Sequence, residues 1–176
     1  ASNPDSKPYA QTAGLNAIQE HLDRKYGKGK ATVNETENLF VYDVRYNLEV
    51  KPKVSVIIPT KDHVELLKDV IDSIFEVTTY KDFEIIILNN NSEEEKTFKY
   101  FEDIVKTHSN VKVIEASYQF NWSKLNNHGM REAGGDVYIF MNNDMKVITP
   151  DWMDRLVEKA CQEHIGVVGG LLLYED

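Results

Sequence analysis

Four short runs of β-branched and apolar residues, separated by helical segments, dominate the chain from residue 54 onward. The runs are VSVIIP, FEIIILN, VKVIEA and DVYIFMN, at residues 54–59, 83–89, 111–116 and 136–142. Their nearly continuous hydrophobicity is typical of strands that are buried on both faces of a parallel sheet. Strand-helix-strand alternation predicts an α/β fold with an open, mostly parallel sheet, right-handed crossovers and helices on both faces.

Two apolar stripes at helical spacing predict helices that pack on this sheet. The stripes are Leu67, Val70, Ile71, Ile74 and Phe75, and Met153, Leu156, Val157, Ala160 and Cys161. The motif SEEE at 92–95 predicts a capping box for a helix that runs to about Thr107. Thr149 followed by Pro150 predicts the start of the last helix, because proline is favoured at the first helical position.

The first fifty residues have a different composition and predict a small appendage. Residues 10–26 have the apolar spacing of a short helix, and residues 31–33 and 39–46 have the pattern of a β-hairpin. We therefore predict two domains, at 1–50 and at 51–176.

Charge and cysteine content exclude several classes of protein. The formal net charge of -9, with acidic residues spread along the chain, argues against a nucleic-acid partner, which would need clustered Lys and Arg. Cys161 is the single cysteine, so the chain forms no internal disulfide and no cysteine-rich metal site. No apolar run approaches the ~20 residues of a transmembrane helix. We expect a protein of a reducing compartment without a membrane span.

Polar clusters follow three of the four predicted strands. They are PTKD at 59–62, NNNS at 89–92 and NND at 142–144. In open α/β sheets, ligands bind beyond the carboxyl ends of the strands, where the strand order reverses. These clusters therefore predict a ligand site, although Asn-Asn-Asp is also typical of a turn that binds nothing.

The same motifs, together with FNWSKLNNHGMREAGGD at 120–136 and TPDW at 149–152, resemble the inverting family 2 glycosyltransferases with the GT-A fold. The resemblance covers roughly residues 54–176 and extends to bacterial enzymes that build surface polysaccharides, including rhamnose-containing ones. It implies a nucleoside-diphosphate sugar as donor, a glycan or lipid-linked acceptor, and Mn²⁺ or Mg²⁺ on the diphosphate. It also implies a cytoplasmic location, with the inner face of the membrane as one place of action.

Carried over by position, the resemblance implies a donor site and a metal ligand. In the family, the loop after the first strand holds the nucleoside, and the motif after the fourth strand holds ribose and metal. The implied donor-binding residues are Pro59, Thr60, Asp62, Asn89, Asn91, Lys124, Asn127, Asn142 and Asn143, and the implied metal ligand is Asp144. One carboxylate suffices for such a cation, since phosphate oxygens and water supply its other ligands.

Asn89 stands where the family commonly has an acid, and Asn142 starts a motif that is commonly Asp-x-Asp. Because an amide both donates and accepts, we hypothesise that Asn89 pairs with a pyrimidine and tolerates cytosine better than an acid would. Its alternative role is to close a turn before the next helix.

Lys124 lies on a helix predicted at 123–133, where a solvated surface lysine is the alternative to a phosphate or ribose contact. Trp122 and His128 are expected to pack rather than react.

A family member needs about twice the residues from Val54 onward, so the general base and acceptor site are expected beyond Asp176. We therefore expect the donor-binding half of a glycosyltransferase, which binds a nucleotide sugar without transferring it by itself. A non-catalytic nucleotide-sugar-binding or scaffolding module is one alternative. A nucleotidyltransferase is a second, although it would be expected to have a glycine-rich and basic phosphate loop after the first strand.

Overall fold

The computed structural model describes residues 8–174 of the chain. The chain divides into two compact units, one of Lys51–Asp154 and one of Ala1–Val50 with Arg155–Asp176. The predicted boundary after residue 50 coincides with one division, whereas residues 155–176 group with the N-terminal segment and not with the larger unit. The division into functional domains stays a prediction.

Five helices and six strands form the described part of the chain. The helices are α1 Pro8–Tyr26, α2 Val64–Val77, α3 Glu95–Thr107, α4 Trp122–Glu132 and α5 Trp152–Ala160. The strands are β1 Ala31–Glu35, β2 Tyr42–Tyr46, β3 Val54–Thr60, β4 Phe83–Asn89, β5 Val111–Glu115 and β6 Val137–Phe140. None of these helices combines the length and the apolar character that crossing a membrane requires.

The four strands of the larger unit form one parallel sheet in the order β5-β4-β3-β6. This confirms the predicted α/β fold with an open parallel sheet. Every residue of β3 is buried, and so is β4 from its second residue onward. The outer strands β5 and β6 are only partly buried, so the expectation that all four strands are covered on both faces is wrong for these two strands.

Helix α4 lies against the two central strands. Its Leu125 belongs to a buried cluster with Ile57 of β3 and Leu88 of β4. Gly129 permits this close approach, because a Cβ atom built on it would lie 2.6 Å from the Ile57 Cγ2 atom and 3.1 Å from the Leu88 Cδ1 atom. The packing fixes the start of α4 relative to the carboxyl ends of the strands, where the site is expected.

The smaller unit contains the predicted helix and hairpin. Strands β1 and β2 pair antiparallel from Ala31↔Tyr46 to Glu35↔Tyr42, and Leu22 of α1 packs on Ala31 and Val33. In the same unit, Arg155 pairs with Asp43 at 2.6 Å and Arg45 with Glu158 at 2.8 Å. These ion pairs join β2 to the second half of α5.

Three local predictions are corrected. Ser92 does not cap α3, which begins at Glu95 after an N-cap, Glu94, that makes no side-chain cap hydrogen bond. Helix α5 begins at Trp152, after a turn in which the Trp152 N–H donates to the Thr149 carbonyl at 3.2 Å. It ends at Ala160, so Cys161 is exposed and is not part of the apolar stripe.

Candidate donor site

The strand order reverses beside β3, because the chain continues from β3 to β4 and β5 on one side and then returns to β6 on the other. At this point a cavity of about 290 Å³ opens at the carboxyl ends of the strands. It is lined by Pro59, Thr60, Lys61, His63, Asn90, Phe120, Trp122, Leu125, Asn142 and Asn143. Its volume is at the low end of the range for small-molecule sites, which suits one part of a nucleotide sugar.

The NND motif is held against the end of β3 by hydrogen bonds. The Met141 N–H donates to the Ile57 carbonyl at 3.0 Å, and the Asn143 side-chain amide donates to the Thr60 hydroxyl at 3.0 Å. Thr60 in turn donates to the Asp62 carbonyl at 3.4 Å. The two asparagines of the motif therefore line the cavity in a defined position, whereas Asp144 is exposed and lies outside the lining.

The loop after β3 has two consecutive non-glycine residues in the left-handed region, Asp62 at φ 52 and His63 at φ 50. Such conformations are sparsely populated and persist where the surroundings enforce them. Here the two residues directly before α3 hold Asp62, since its carboxylate accepts the Glu93 and Glu94 N–H groups at 2.8 and 2.9 Å. The bond from the Glu94 N–H does most to lower the pKa of Asp62 below its usual value. Asp62 thus caps the neighbouring segment and does not line the cavity.

The three asparagines after β4 join neighbouring loops. Asn89 is 1% exposed, donates to both carboxylate oxygens of Glu115 at 3.0 Å, and accepts the Ser92 N–H at 3.1 Å. Asn90 donates to the carbonyls of Ala116 and Tyr118 at 2.7 and 2.8 Å. Asn91, at φ 62, also donates to the Tyr118 carbonyl, at 2.9 Å. Of the three, only Asn90 lines the cavity.

Asn121 supplies the cap of α4, because its side-chain oxygen accepts the Lys124 N–H at 2.9 Å. The Lys124 ammonium lies 4.0 Å from the centre of the Tyr118 ring, a cation–π contact. Lys124 and Asn127 are exposed and lie outside the cavity lining. The first turn of α4 reaches the cavity through Trp122 and Leu125 instead.

The structure thus brings part of the predicted donor set together. Pro59, Thr60, Asn142 and Asn143 line one cavity, while Asp62, Asn89, Asn91, Lys124, Asn127 and Asp144 lie outside its lining. Sequence reasoning missed Lys61, His63, Asn90, Phe120, Trp122 and Leu125. Trp122, which was expected to pack, is 41% exposed and lines the cavity, so part of its surface is left uncovered. The sequence did contain signals for three of the missed residues. Asn90 lies inside the polar cluster NNNS, and Phe120 and Trp122 flank Asn121, the residue that caps α4.

The chemistry of the donor set limits what kind of metal it could hold. Within residues 8–174 there is no group of three or more His, Cys, Asp or Glu side chains that could bind a metal ion. A single exposed carboxylate such as Asp144 is not a resident metal site. It fits a hard cation that takes most of its ligands from a diphosphate and from water.

Comparisons with known proteins agree with this architecture. Residues 55–176 match the sequence model of the family described as Glycosyl transferase family 2. The chain is 37% identical over 176 residues to an uncharacterized protein of Sinorhizobium fredii and 35% identical over 167 residues to the O-antigen biosynthesis protein RfbC of Myxococcus xanthus. These alignments cover 100% and 95% of this chain but 19% and 13% of the relatives, so the chain spans under a fifth of their length.

A solved structure supports the fold. The mannosyltransferase PcManGT from Pyrobaculum calidifontis, in complex with GDP-Man and Mn²⁺, superposes with a TM-score of 0.60 at 17% identity. The alignment covers 93% of this chain and 44% of that protein. The match at residues 55–176, which is most of the chain, confirms the resemblance seen in the motifs: this chain belongs to glycosyl transferase family 2.

Proposed function

We propose that this chain carries the donor-binding part of a glycosyltransferase. The reaction would transfer a sugar from a nucleoside diphosphate to a hydroxyl of a glycan or lipid-linked acceptor, with inversion at the anomeric carbon. One observation carries the proposal: the cavity at the switch point of a family 2 sheet is lined by the predicted residues Pro59, Thr60, Asn142 and Asn143. The likeness to an O-antigen biosynthesis protein supports polysaccharide synthesis as the setting. The cytoplasmic location that the resemblance implies is part of this proposal.

The amides of the NND motif are suited to bind ribose. Asn143 uses one amide hydrogen on the Thr60 hydroxyl, and its other hydrogen and its carbonyl oxygen can pair with ribose hydroxyls. Asn142 lines the same cavity and brings a second amide. Lys124 and Asn127 stay in the proposal as contacts to the diphosphate or ribose edge, since both side chains are exposed on α4.

Asp144 is the proposed ligand for Mn²⁺ or Mg²⁺. A cation bound there would neutralise the negative charge that develops on the departing nucleoside diphosphate. Because Asp144 is the one carboxylate of the NND motif, its removal should abolish the dependence of donor binding on metal.

A pyrimidine base remains part of the proposal, with a changed role for Asn89. Direct pairing with a base would require Asn89 to give up its bonds to Glu115 or Ser92. We propose that Asn89 instead orients the Glu115 carboxylate and the loop around it. The hypothesis that Asn89 pairs directly with the base, and so tolerates cytosine, would be contradicted by strict selectivity for uridine or thymidine diphosphates.

One observation favours a second candidate, a module that binds a nucleotide sugar without catalysis. Within residues 8–174, the cavity lining contains neither aspartate nor glutamate, so it offers no carboxylate as general base. Sugar transfer by the longer protein, measured with a radiolabelled donor, distinguishes the two candidates. Donor binding without any transfer would favour the binding module.

The first experiment is calorimetric titration of the chain with UDP, dTDP, GDP and CDP, with and without Mn²⁺. The Asp144→Ala variant tests the metal ligand, and Asp103→Ala, which removes an exposed aspartate on α3, is the matched control. We expect metal-dependent binding that weakens at least tenfold in Asp144→Ala and is unchanged in Asp103→Ala. If the folded chain bound none of these nucleotides, and a chain extended past residue 176 bound none either, the interpretation of NND as a simple turn would be correct.

A further inference from the structure

Two large aromatic side chains in the cavity are more exposed than their size leads one to expect. Phe120 is 67% exposed and Trp122 is 41% exposed, and both belong to the lining. Aromatic rings of this size usually bury most of their surface, and neighbouring exposed rings in a concave site indicate a surface that a ligand covers. We call this pair the aromatic wall.

The backbone that carries the aromatic wall is fixed. Asn121, between the two rings, caps α4 through its bond to the Lys124 N–H at 2.9 Å. Trp122 is the first residue of α4, and its carbonyl accepts the Asn126 side-chain amide at 3.0 Å. Leu125, one turn further along, is fully buried in the core. The rings are therefore presented by a rigid helix start, which lowers the entropy lost when a flat ligand binds.

The remainder of the lining is chemically complementary to a nucleoside. Thr60, Asn90, Asn142 and Asn143 bring hydroxyl and amide groups to the same cavity as the aromatic wall. A nucleoside has a flat π face on the base and polar groups on the base edge and the ribose. A diphosphate has no flat face, and an acceptor glycan would need more room than a cavity of about 290 Å³ gives beside the donor.

On these grounds we infer that Trp122, with Phe120, is the stacking surface for the nucleobase of the donor. Stacking is tolerant of base identity because every base has a π face. Trp122 would therefore set affinity for nucleotides in general, and the polar groups of the lining would set the preference among bases. The inference rests on the proposed function, since it assigns a subsite within the same donor cavity.

Tryptophan fluorescence tests the inference directly, because the chain contains two tryptophans, Trp122 and Trp152. The Trp152→Phe variant leaves Trp122 as the sole reporter, and Trp122→Phe leaves Trp152, whose indole N–H donates to Thr78 at 2.9 Å. On titration with UDP, dTDP, GDP or CDP in the presence of Mn²⁺, we expect saturable quenching in Trp152→Phe. Emission from Trp122→Phe should stay constant across the same titration.

Affinities measured by calorimetry give a second readout. Trp122→Ala should weaken nucleotide binding roughly 5- to 150-fold, the range found when a stacking residue is truncated. Trp122→Phe keeps an aromatic face and should stay within about threefold of the unaltered chain. Inorganic pyrophosphate with Mn²⁺ has no base, so its affinity should be equal in Trp122→Ala and in the unaltered chain. Circular dichroism of each variant establishes that it is folded.

The outcomes separate this inference from the proposed function. If the unaltered chain binds nucleotides, yet Trp122→Ala binds them equally well and Trp122 emission does not respond, the stacking inference is wrong and the donor site stands. Quenching by a neutral oligosaccharide but by none of the nucleotides would also overturn it and would assign the aromatic wall to the acceptor. If neither the folded chain nor a chain extended past residue 176 bound any nucleotide, both proposals would be overturned.

Discussion

The two ends of the parallel strands use polar side chains in opposite ways. We call the end where the strands begin the amino edge, and the end where they stop the carboxyl edge. At the amino edge, Glu84 is 3% exposed and is surrounded by donors. Its carboxylate accepts the Gly134 N–H at 2.5 Å and the Ser55 hydroxyl at 2.8 Å, and pairs with Lys53 and Lys112 at 3.1 and 3.2 Å. At the carboxyl edge, the polar groups around the cavity are mainly neutral amides and hydroxyls.

This difference separates stability from binding. A buried carboxylate with every lone pair used has one favourable arrangement, and removing its partners or its charge is costly. Neutral amides exchange one hydrogen-bond partner for another at a small net change in free energy. We therefore expect substitutions at the amino edge to change stability and substitutions at the carboxyl edge to change ligand binding.

The largest effect on stability is expected from Glu84→Gln. The variant keeps the shape of the side chain but loses the charge that four donors surround, so the free energy of unfolding should fall by about 3 kcal/mol. Urea denaturation measures this loss. The matched control is Glu102→Gln, which removes an exposed partner of Lys106 and should change stability by less than about 0.5 kcal/mol. Equal losses in the two variants would show that the donors around Glu84 make it no more important for stability than an exposed carboxylate on α3.

The same carboxylate predicts how stability changes in acid. Burial by itself would raise the pKa of Glu84, but hydrogen bonds from Gly134, Ser55, Lys53 and Lys112 outweigh it and lower the pKa from 4.5 to about 2. A lowered pKa contributes stability above the unfolded-state value, and this is lost as the pH falls towards the folded-state value. The advantage of the unaltered chain over Glu84→Gln should therefore shrink by about 2 kcal/mol between pH 7 and pH 3. If the difference in stability between the unaltered chain and Glu84→Gln stayed constant from pH 7 to pH 3, the lowered pKa of Glu84 would be contradicted.

A charge introduced at the carboxyl edge sharpens the comparison. Asn89→Asp replaces an amide donor by a second carboxylate facing Glu115, so it loses two hydrogen bonds and gains repulsion. We expect the variant to be about 1 to 2 kcal/mol less stable at pH 7 and to recover near pH 4, where one of the two carboxylates is protonated. Urea denaturation at both pH values measures this. Asn127→Asp, at an exposed position on α4, is the control, and a pH-independent loss in Asn89→Asp would argue against repulsion by Glu115.

Local patterns were sufficient to predict the sheet and the place of the cavity at its carboxyl edge. The stripe from Leu67 to Ile74 is buried as its spacing predicts, because a 3.6-residue period is a property of neighbouring residues in one helix. The PTKD and NND motifs both reach the cavity, since strand ends in a parallel sheet share one edge. These features need no knowledge of distant contacts.

Features that depend on distant contacts were not predictable. Asp62 caps Glu93 and Glu94, about thirty residues further along the chain, and no local signal marks that partnership. Asn90, the asparagine of NNNS that lines the cavity, is held by the carbonyls of Ala116 and Tyr118, which lie 26 and 28 residues further along the chain. The short edge strand β6 keeps the apolar sequence of a buried strand while one side stays uncovered, so hydrophobicity overestimated its burial.

The smallest effect on stability is expected from Thr60→Val, which tests how far binding and stability separate at the carboxyl edge. Valine keeps the shape but removes the hydroxyl that accepts the Asn143 amide and donates to the Asp62 carbonyl. We expect a loss of about 1 kcal/mol or less in the free energy of unfolding, because both partners are near solvent. Nucleotide affinity should fall several-fold, since Asn143 loses the contact that aims it at the cavity. Thr60→Ser retains the hydroxyl and should keep the affinity, so calorimetry on the pair isolates the hydrogen bond from the methyl group. If both variants bound nucleotides as the unaltered chain does, the amide of Asn143 would not depend on Thr60 for its orientation. Loss of this hydroxyl at the carboxyl edge would then affect neither ligand binding nor, to any large extent, stability.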